Sequence, residues 1–132
     1  MYTLRKNFAA VFLLSVAILF TGCGGNGYKH ITQEDALRIM KANPDAIILD
    51  VRTPEEYDKK HIPNALLVPI DDLRGGDFRK LPNKAATILV YCWTGRRAED
   101  AAKILSDNGY KNVYEFGGLV DWTGAVKGSE VP

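Results

Sequence analysis

Chemistry in this chain could start at two cysteines, two histidines and the adjacent pair Arg96-Arg97. Cys92 ends the apolar run Thr87-Ile88-Leu89-Val90-Tyr91 and is followed by Trp93-Thr94-Gly95-Arg96-Arg97. Beyond it, Ala98, Ala101, Ala102, Ile104 and Leu105 recur at helical spacing up to Gly109. A cysteine between a buried strand and a helix start can have consecutive loop N–H groups and the positive helix end aimed at its sulfur. Donors so placed stabilise negative charge on sulfur, and the thiolate is the nucleophilic form. The chemistry on offer is covalent: sulfur attacks, and preorganised donors hold the charge.

Other polar residues invite plainer readings. His61 has no second His, Cys or acid at metal-ligand spacing, so its expected role is a hydrogen bond at a turn, and no metal site is expected. His30 reads as surface. Asp50 and Arg52 stand at a strand end and read as an ion pair or loop support. Glu55, Glu56, Asp58, Lys59 and Lys60 read as a solvated helix face.

The elements that must position Cys92 alternate along the chain. His30-Ile31 suits a short opening strand. Thr32 then caps a helix carrying Ala36, Leu37, Ile39 and Met40 on one face, which Asn43-Pro44 stops. Ala46 to Val51 is a nearly continuous apolar run, the pattern of a parallel strand covered on both faces. Thr53-Pro54-Glu55-Glu56 combines an N-cap, a proline at the first helical position and an acid at the third, predicting a short helix to about Lys60. Ala65 to Val68 returns as strand, Asp71 to Leu81 as short turns and loop, Thr87 to Cys92 as strand, and about Arg97 onward as helix. Val113 to Phe116 makes one more strand, and Leu119 to Val126 is expected to close the chain as a helix. This order implies an α/β domain with a central, mostly parallel sheet and helices on both faces. Ligands are expected beyond the carboxyl ends of its strands, where Cys92 falls.

Composition sets outer limits. The chain has 132 residues, 46% hydrophobic and 25% charged, with a formal net charge of +1. These values fit one ordinary globular domain and exclude wholesale disorder, while two cysteines exclude a disulfide scaffold. With neither a basic balance nor a recognisable motif, nucleic acid is not an expected partner.

The start of the chain is built differently. Arg5 and Lys6 precede a 13-residue apolar stretch, Phe8 to Phe20, broken only by Ser15 and too short to span a bilayer comfortably. Phe20-Thr21-Gly22-Cys23 resembles the lipobox of bacterial lipoproteins, with Phe20 standing where that family usually has Leu. The division expected is a signal peptide over 1–22, a lipidated Cys23 with a Gly-rich tether over 23–28, and the working domain over 29–132. An ordinary cleaved signal or an uncleaved anchor are the alternatives. The lipoprotein reading implies export and a lipid anchor to the bacterial cell envelope, with the domain facing periplasm or exterior. Without Arg5 and Lys6 there remain 15 basic and 16 acidic side chains, a balance that attracts no particular charged partner. An acylated Cys23 would leave Cys92 unpaired in an oxidising compartment, which favours a used thiol over a small buried hydrophobe.

The residues so assembled resemble the rhodanese domain of sulfurtransferases over nearly the whole mature chain. Asp50-Val51-Arg52 with Glu55-Glu56-Tyr57 is similar to that family's first signature, and His61-Ile62-Pro63-Asn64-Ala65 to its second. Cys92 to Arg97 is similar to the active-site loop, and Gly117-Gly118 with Trp122 to the signature near the C-terminus. The resemblance implies a rhodanese-like fold without a cofactor. It also implies a reaction in which Cys92 takes sulfane sulfur from thiosulfate or a persulfide and passes it to cyanide or a thiol.

By the same resemblance Arg97 is the loop-closing arginine, expected to hold loop carbonyls or neighbouring carboxylates. Trp93 and Arg96 are expected at the entrance, Thr94 to donate a hydrogen bond near the sulfur, and Gly95 to permit a turn that a side chain would obstruct. Asp50, Arg52, His61, Gly117, Gly118 and Trp122 are expected as structural support. Asn64 replaces the usual glycine at a position of positive φ, and Ala98 replaces a small hydroxyl residue. Four residues separate Cys92 from Arg97, whereas the related phosphatases have five, so phosphatase activity is not expected. A monomer is the default, and a thiol-redox protein is a further conceivable partner. The alternative function is a relay or partner-binding module that carries sulfur without turning over small molecules.

Overall fold

The computed structural model describes residues 27–132, so the expected signal segment 1–22 and Cys23 lie outside the described residues. The elements run β1 (Tyr28–His30), α1 (Gln33–Ala42), β2 (Ile47–Asp50), α2 (Pro54–Lys59), β3 (Leu66–Leu67), α3 (Ile70–Arg74), β4 (Thr87–Cys92), α4 (Arg96–Asp107) and β5 (Asn112–Gly118). β1 begins at Tyr28, the last residue of the expected tether.

Local chemistry sets the helix starts. The Thr32 side chain accepts from Asp35 N–H to open α1. At α2, Thr53 accepts from Glu56 N–H while Glu56 reaches back to Thr53 N–H, closing the reciprocal cap with Pro54 at the first turn.

All five strands are parallel, in the order β1-β5-β4-β2-β3. From β2 the chain moves outward to β3; from β4 it moves the other way, to β5. The carboxyl ends of β2 and β4 therefore flank the switch point where such sheets open a crevice. Asp50 ends β2 and Cys92 ends β4, so the pairing of these neighbouring strands brings their carboxyl ends side by side across 42 positions of sequence.

Side chains of β4 alternate between two cores. Ile88, Val90 and Cys92 pack with Leu73 of α3 and with Ala98, Ala101, Ala102 and Leu105 of α4. Leu89 and Tyr91 pack on the other face with Ala36 of α1, Phe116 and Leu119. Small alanines on α4 let the helix axis sit close to the sheet, and that closeness carries its N-terminus to the cysteine.

The expected closing helix is absent. Leu119–Asp121 forms a single 3₁₀ turn, and Trp122 is already extended. The reason is a tertiary pairing. His61 and Lys127 bridge antiparallel, N–H to carbonyl in both directions at 2.7 and 2.8 Å, drawing the last segment across the α2–β3 turn. A helix over these residues would forfeit both bonds.

Candidate active site

Cys92 is 1% exposed. A register shift in the β4–β5 pairing between Val90 and Cys92 sets the cysteine opposite Gly118. Gly95 N–H donates to Cys92 Sγ at 3.0 Å, at the start of α4. Of the consecutive N–H groups expected around the sulfur, this one stands at hydrogen-bond distance.

The loop takes its shape from two glycines. Gly95 has φ of +108°, and a Cβ there would stand 3.1 Å from Gly117 Cα. A Cβ on Gly118 would fall 2.0 Å from the Trp93 carbonyl oxygen, so no other residue fits without moving the loop. Val120 N–H donates to that same oxygen at 3.0 Å. The end of β5, Gly117 and Gly118, is thus the floor on which the Cys92 loop lies.

Arg97 binds a carboxylate through both terminal nitrogens. Its Nη1 donates to Glu56 Oε2 and its Nη2 to Glu56 Oε1, each at 2.8 Å. The Arg97 bonds, aided by those from Thr53 against the opposing effect of burial, hold the Glu56 carboxyl down at about 2. Glu56 is therefore more than part of a solvated helix face: it caps α2 and anchors the loop arginine.

Under this pair lies a buried network. Arg52 donates to Asp50 through Nε at 3.0 Å and Nη2 at 2.7 Å, with 2% and 0% of the two side chains exposed. Arg52 Nη2 also reaches the Lys60 carbonyl at 2.6 Å, tying the end of α2 to the end of β2. Tyr91 OH donates to Asp50 Oδ2 at 2.6 Å and accepts from Ile62 N–H at 3.0 Å. Burial first, and then the Asp50 charge and hydrogen bond, push the Tyr91 phenol well above its ordinary range. Burial opposes charge on Arg52, yet the bonds and charge of Asp50 outweigh it and raise the guanidinium. The network is saturated, with no orphaned buried side-chain nitrogen or oxygen among the described residues. It supports the crevice, and Arg52 also lines the cleft beside Trp93.

The remaining expected residues divide. Trp93, 41% exposed, lines a cleft of about 310 Å³ with Lys59 and Lys60. Arg96 and Thr94 are exposed on the opposite flank. The Thr94 hydroxyl is not a hydrogen-bond partner of the sulfur, which corrects that expectation: the turn at Gly95 brings a backbone N–H to Sγ instead. His61 and Trp122 stand away from the cysteine. His61 stacks on Tyr57 with centroids 3.8 Å apart and donates Nδ1–H to the Tyr57 carbonyl at 2.6 Å. Trp122 packs against Phe116 and donates to the Ala125 carbonyl. Asn64 has φ of +66°, as its replacement of glycine required.

Two acids escaped the sequence reading. Glu56 was legible as a cap, but its bond to Arg97 spans 41 positions. Glu115, 4% exposed, accepts from Gly117 N–H and binds His30 Nδ1, each at 2.6 Å, so His30 is more than surface. An acid inside the apolar strand Val113 to Phe116 was the available signal.

Comparison with known proteins agrees with this geometry. Residues 32–125 match the rhodanese-like domain family. The thiosulfate sulfurtransferase PspE of Escherichia coli is 38% identical over 73 residues, covering 55% of this chain and 70% of that protein. A tRNA uridine(34) hydroxylase of Yersinia pestis is 32% identical over 112 residues, but this chain spans 30% of its length. Among solved structures, an E. coli rhodanese with anions is 34% identical with a TM-score of 0.57, covering 63% of this chain and 98% of that one. A rhodanese-like domain protein of Staphylococcus aureus is 29% identical with a TM-score of 0.66, covering 76% and 97%. On its fold, its signatures and these relatives, the chain belongs to the rhodanese-like domain family.

Proposed function

We propose that the chain is a sulfurtransferase working through a Cys92 persulfide. The carrying observation is Sγ at the carboxyl end of β4, 3.0 Å from the Gly95 N–H that opens α4. The thiolate attacks the outer sulfur of thiosulfate, a new S–S bond forms, and the old S–S pair leaves on sulfite. A thiophilic acceptor then takes the outer sulfur and the pair returns to Sγ, where the Gly95 donor holds the regenerated charge. Trp93 and Arg96 flank the loop on opposite sides and would meet donor or acceptor. The likeness to thiosulfate sulfurtransferase PspE supports this reading.

The test is the intact mass of the full chain after thiosulfate and again after cyanide, with Cys92→Ser alongside. One added sulfur atom that needs Cys92 and leaves as thiocyanate is the expected result. No added sulfur from thiosulfate, polysulfide or persulfide on folded, reduced protein would overturn it. A relay that receives sulfur from a partner protein is the second reading, favoured by the near-complete burial of Cys92. Persulfide formation with a protein donor and none with thiosulfate would select it.

We also propose, from the sequence alone, that the chain is exported and held on the envelope by lipid at Cys23. Incorporation of labelled palmitate that is lost in Cys23→Ser is the expected result, and equal labelling of both forms would refute it.

A further inference from the structure

Beside the Cys92 loop, toward β1 and β5, lies a cleft of about 410 Å³. Gly95 is a shared wall: it lines this cleft, and its N–H is 3.0 Å from Sγ. Glu115 also lines it, with 5% of its side chain exposed, one oxygen on Gly117 N–H and the other on His30 Nδ1. The two halves of the His30 ring are therefore in different surroundings. Nδ1 is pinned to a buried carboxyl group at 2.6 Å, while the side chain as a whole is 74% exposed and Nε2 has no hydrogen-bond partner among the described residues. With Glu115 Oε2 accepting from Nδ1–H, the neutral ring carries its free lone pair on Nε2. An imidazole that lines a cleft beside a nucleophile, oriented by a buried acid and with its second nitrogen unpartnered, is the arrangement of a general base.

Sulfur transfer has use for one. A free thiol has a pKa of about 8.5, so at neutral pH little of it is the attacking thiolate. We propose that this cleft takes a small thiol as sulfur acceptor, that His30 Nε2 removes its proton, and that Glu115 positions the ring; the inference rests on the sulfur-transfer reading above. The acceptor thiolate attacks the outer sulfur of the Cys92 persulfide, one S–S bond of about 2.05 Å beyond Sγ. The acceptor S–S bond forms as the Cys92 S–S bond breaks, the electron pair of the broken bond stays on Sγ, and the product is the acceptor persulfide. His30 returns the proton to solvent, and no oxidant or reductant is consumed. Arg96, Glu99 and Tyr28 are the other titratable groups lining the cleft. With Glu115 engaged by His30 and Gly117, Arg96 and Glu99 remain as one partner of each sign, which suits a zwitterionic thiol.

The test compares two acceptors on full-length protein preloaded with thiosulfate. Cysteine is largely protonated at neutral pH and needs a base, whereas thionitrobenzoate is already ionised and does not. The expected result for His30→Gln is a fall of order 10²-fold in the cysteine-to-thionitrobenzoate rate ratio, partly restored by free imidazole. Glu115→Gln, which can still accept from Nδ1–H, should lower the ratio less. An unchanged ratio in folded His30→Gln overturns the proposal. Failure of the unaltered protein to load sulfur overturns the sulfur-transfer reading and this one with it.

Discussion

Arg97 and Glu56 meet through two parallel 2.8 Å bonds although they lie 41 positions apart, so the helix cap of α2 and the loop of Cys92 share one carboxylate. Loop geometry is thereby linked to the integrity of α2. Both side chains are about one-third exposed, so solvent screens the pair and its worth lies in orientation more than in stability.

Glu56→Gln should therefore slow persulfide formation more than it unfolds the protein. The Glu56 carboxyl lies at about 2 against an ordinary 4.5, so its stabilising contribution is complete above 4.5 and is lost as pH falls toward 2. Urea midpoints of the two proteins should differ at pH 6 and converge on approach to pH 2. A gap that widens with acid would contradict this linkage.

Arg52→Met tests the buried network beneath. Removing the guanidinium leaves the Asp50 carboxyl group 0% exposed, with the Tyr91 hydroxyl and the backbone N–H of residue 52 as its remaining donors. Breaking a buried pair from one side typically costs about 3–5 kcal/mol. Urea unfolding should show a loss of that order, and a loss under about 1 kcal/mol would mean that the site relaxes to admit water.

Much of this architecture was legible because it rests on local chemistry. Thr53, Pro54 and Glu56 specify α2 by themselves, and the apolar run Thr87 to Tyr91 specifies a strand buried on both faces. Asn64 accepts its positive φ without help from elsewhere. What stayed hidden depends on partners far along the chain. Lys127 is held extended by His61, 66 residues earlier, and overrides the helical spacing of Leu119 to Val126. His30 and Glu115 are 85 residues apart and meet because β1 and β5 are neighbours in the sheet order, which periodicity alone does not reveal.

Gly95→Ala asks how much the loop depends on its left-handed residue. A φ of +108° disfavours any side chain, and the new Cβ would press on Gly117 Cα at 3.1 Å. Strain of this kind costs of order 1–3 kcal/mol. The loop should shift to relieve it and withdraw the N–H from Sγ. Persulfide formation should fall by at least about tenfold while the urea midpoint drops modestly. Unimpaired loading in Gly95→Ala would show that this donor does not hold the charge.

The last prediction separates sulfur from phosphoryl chemistry on this fold. A phosphoryl group needs a ring of donors around three oxygens and an arginine free to clamp them. Here four residues separate Cys92 from Arg97, and both Nη atoms of Arg97 are committed to Glu56. No Cys92-dependent hydrolysis of an aryl phosphate is expected, so the full chain and Cys92→Ser should release nitrophenol at the same background rate. Glu56→Gln sharpens the question because it frees Arg97 without lengthening the loop. If loop length is the barrier, that variant stays inactive on the phosphate. If it gains Cys92-dependent turnover, the Glu56 bond is what keeps the site from phosphoryl transfer.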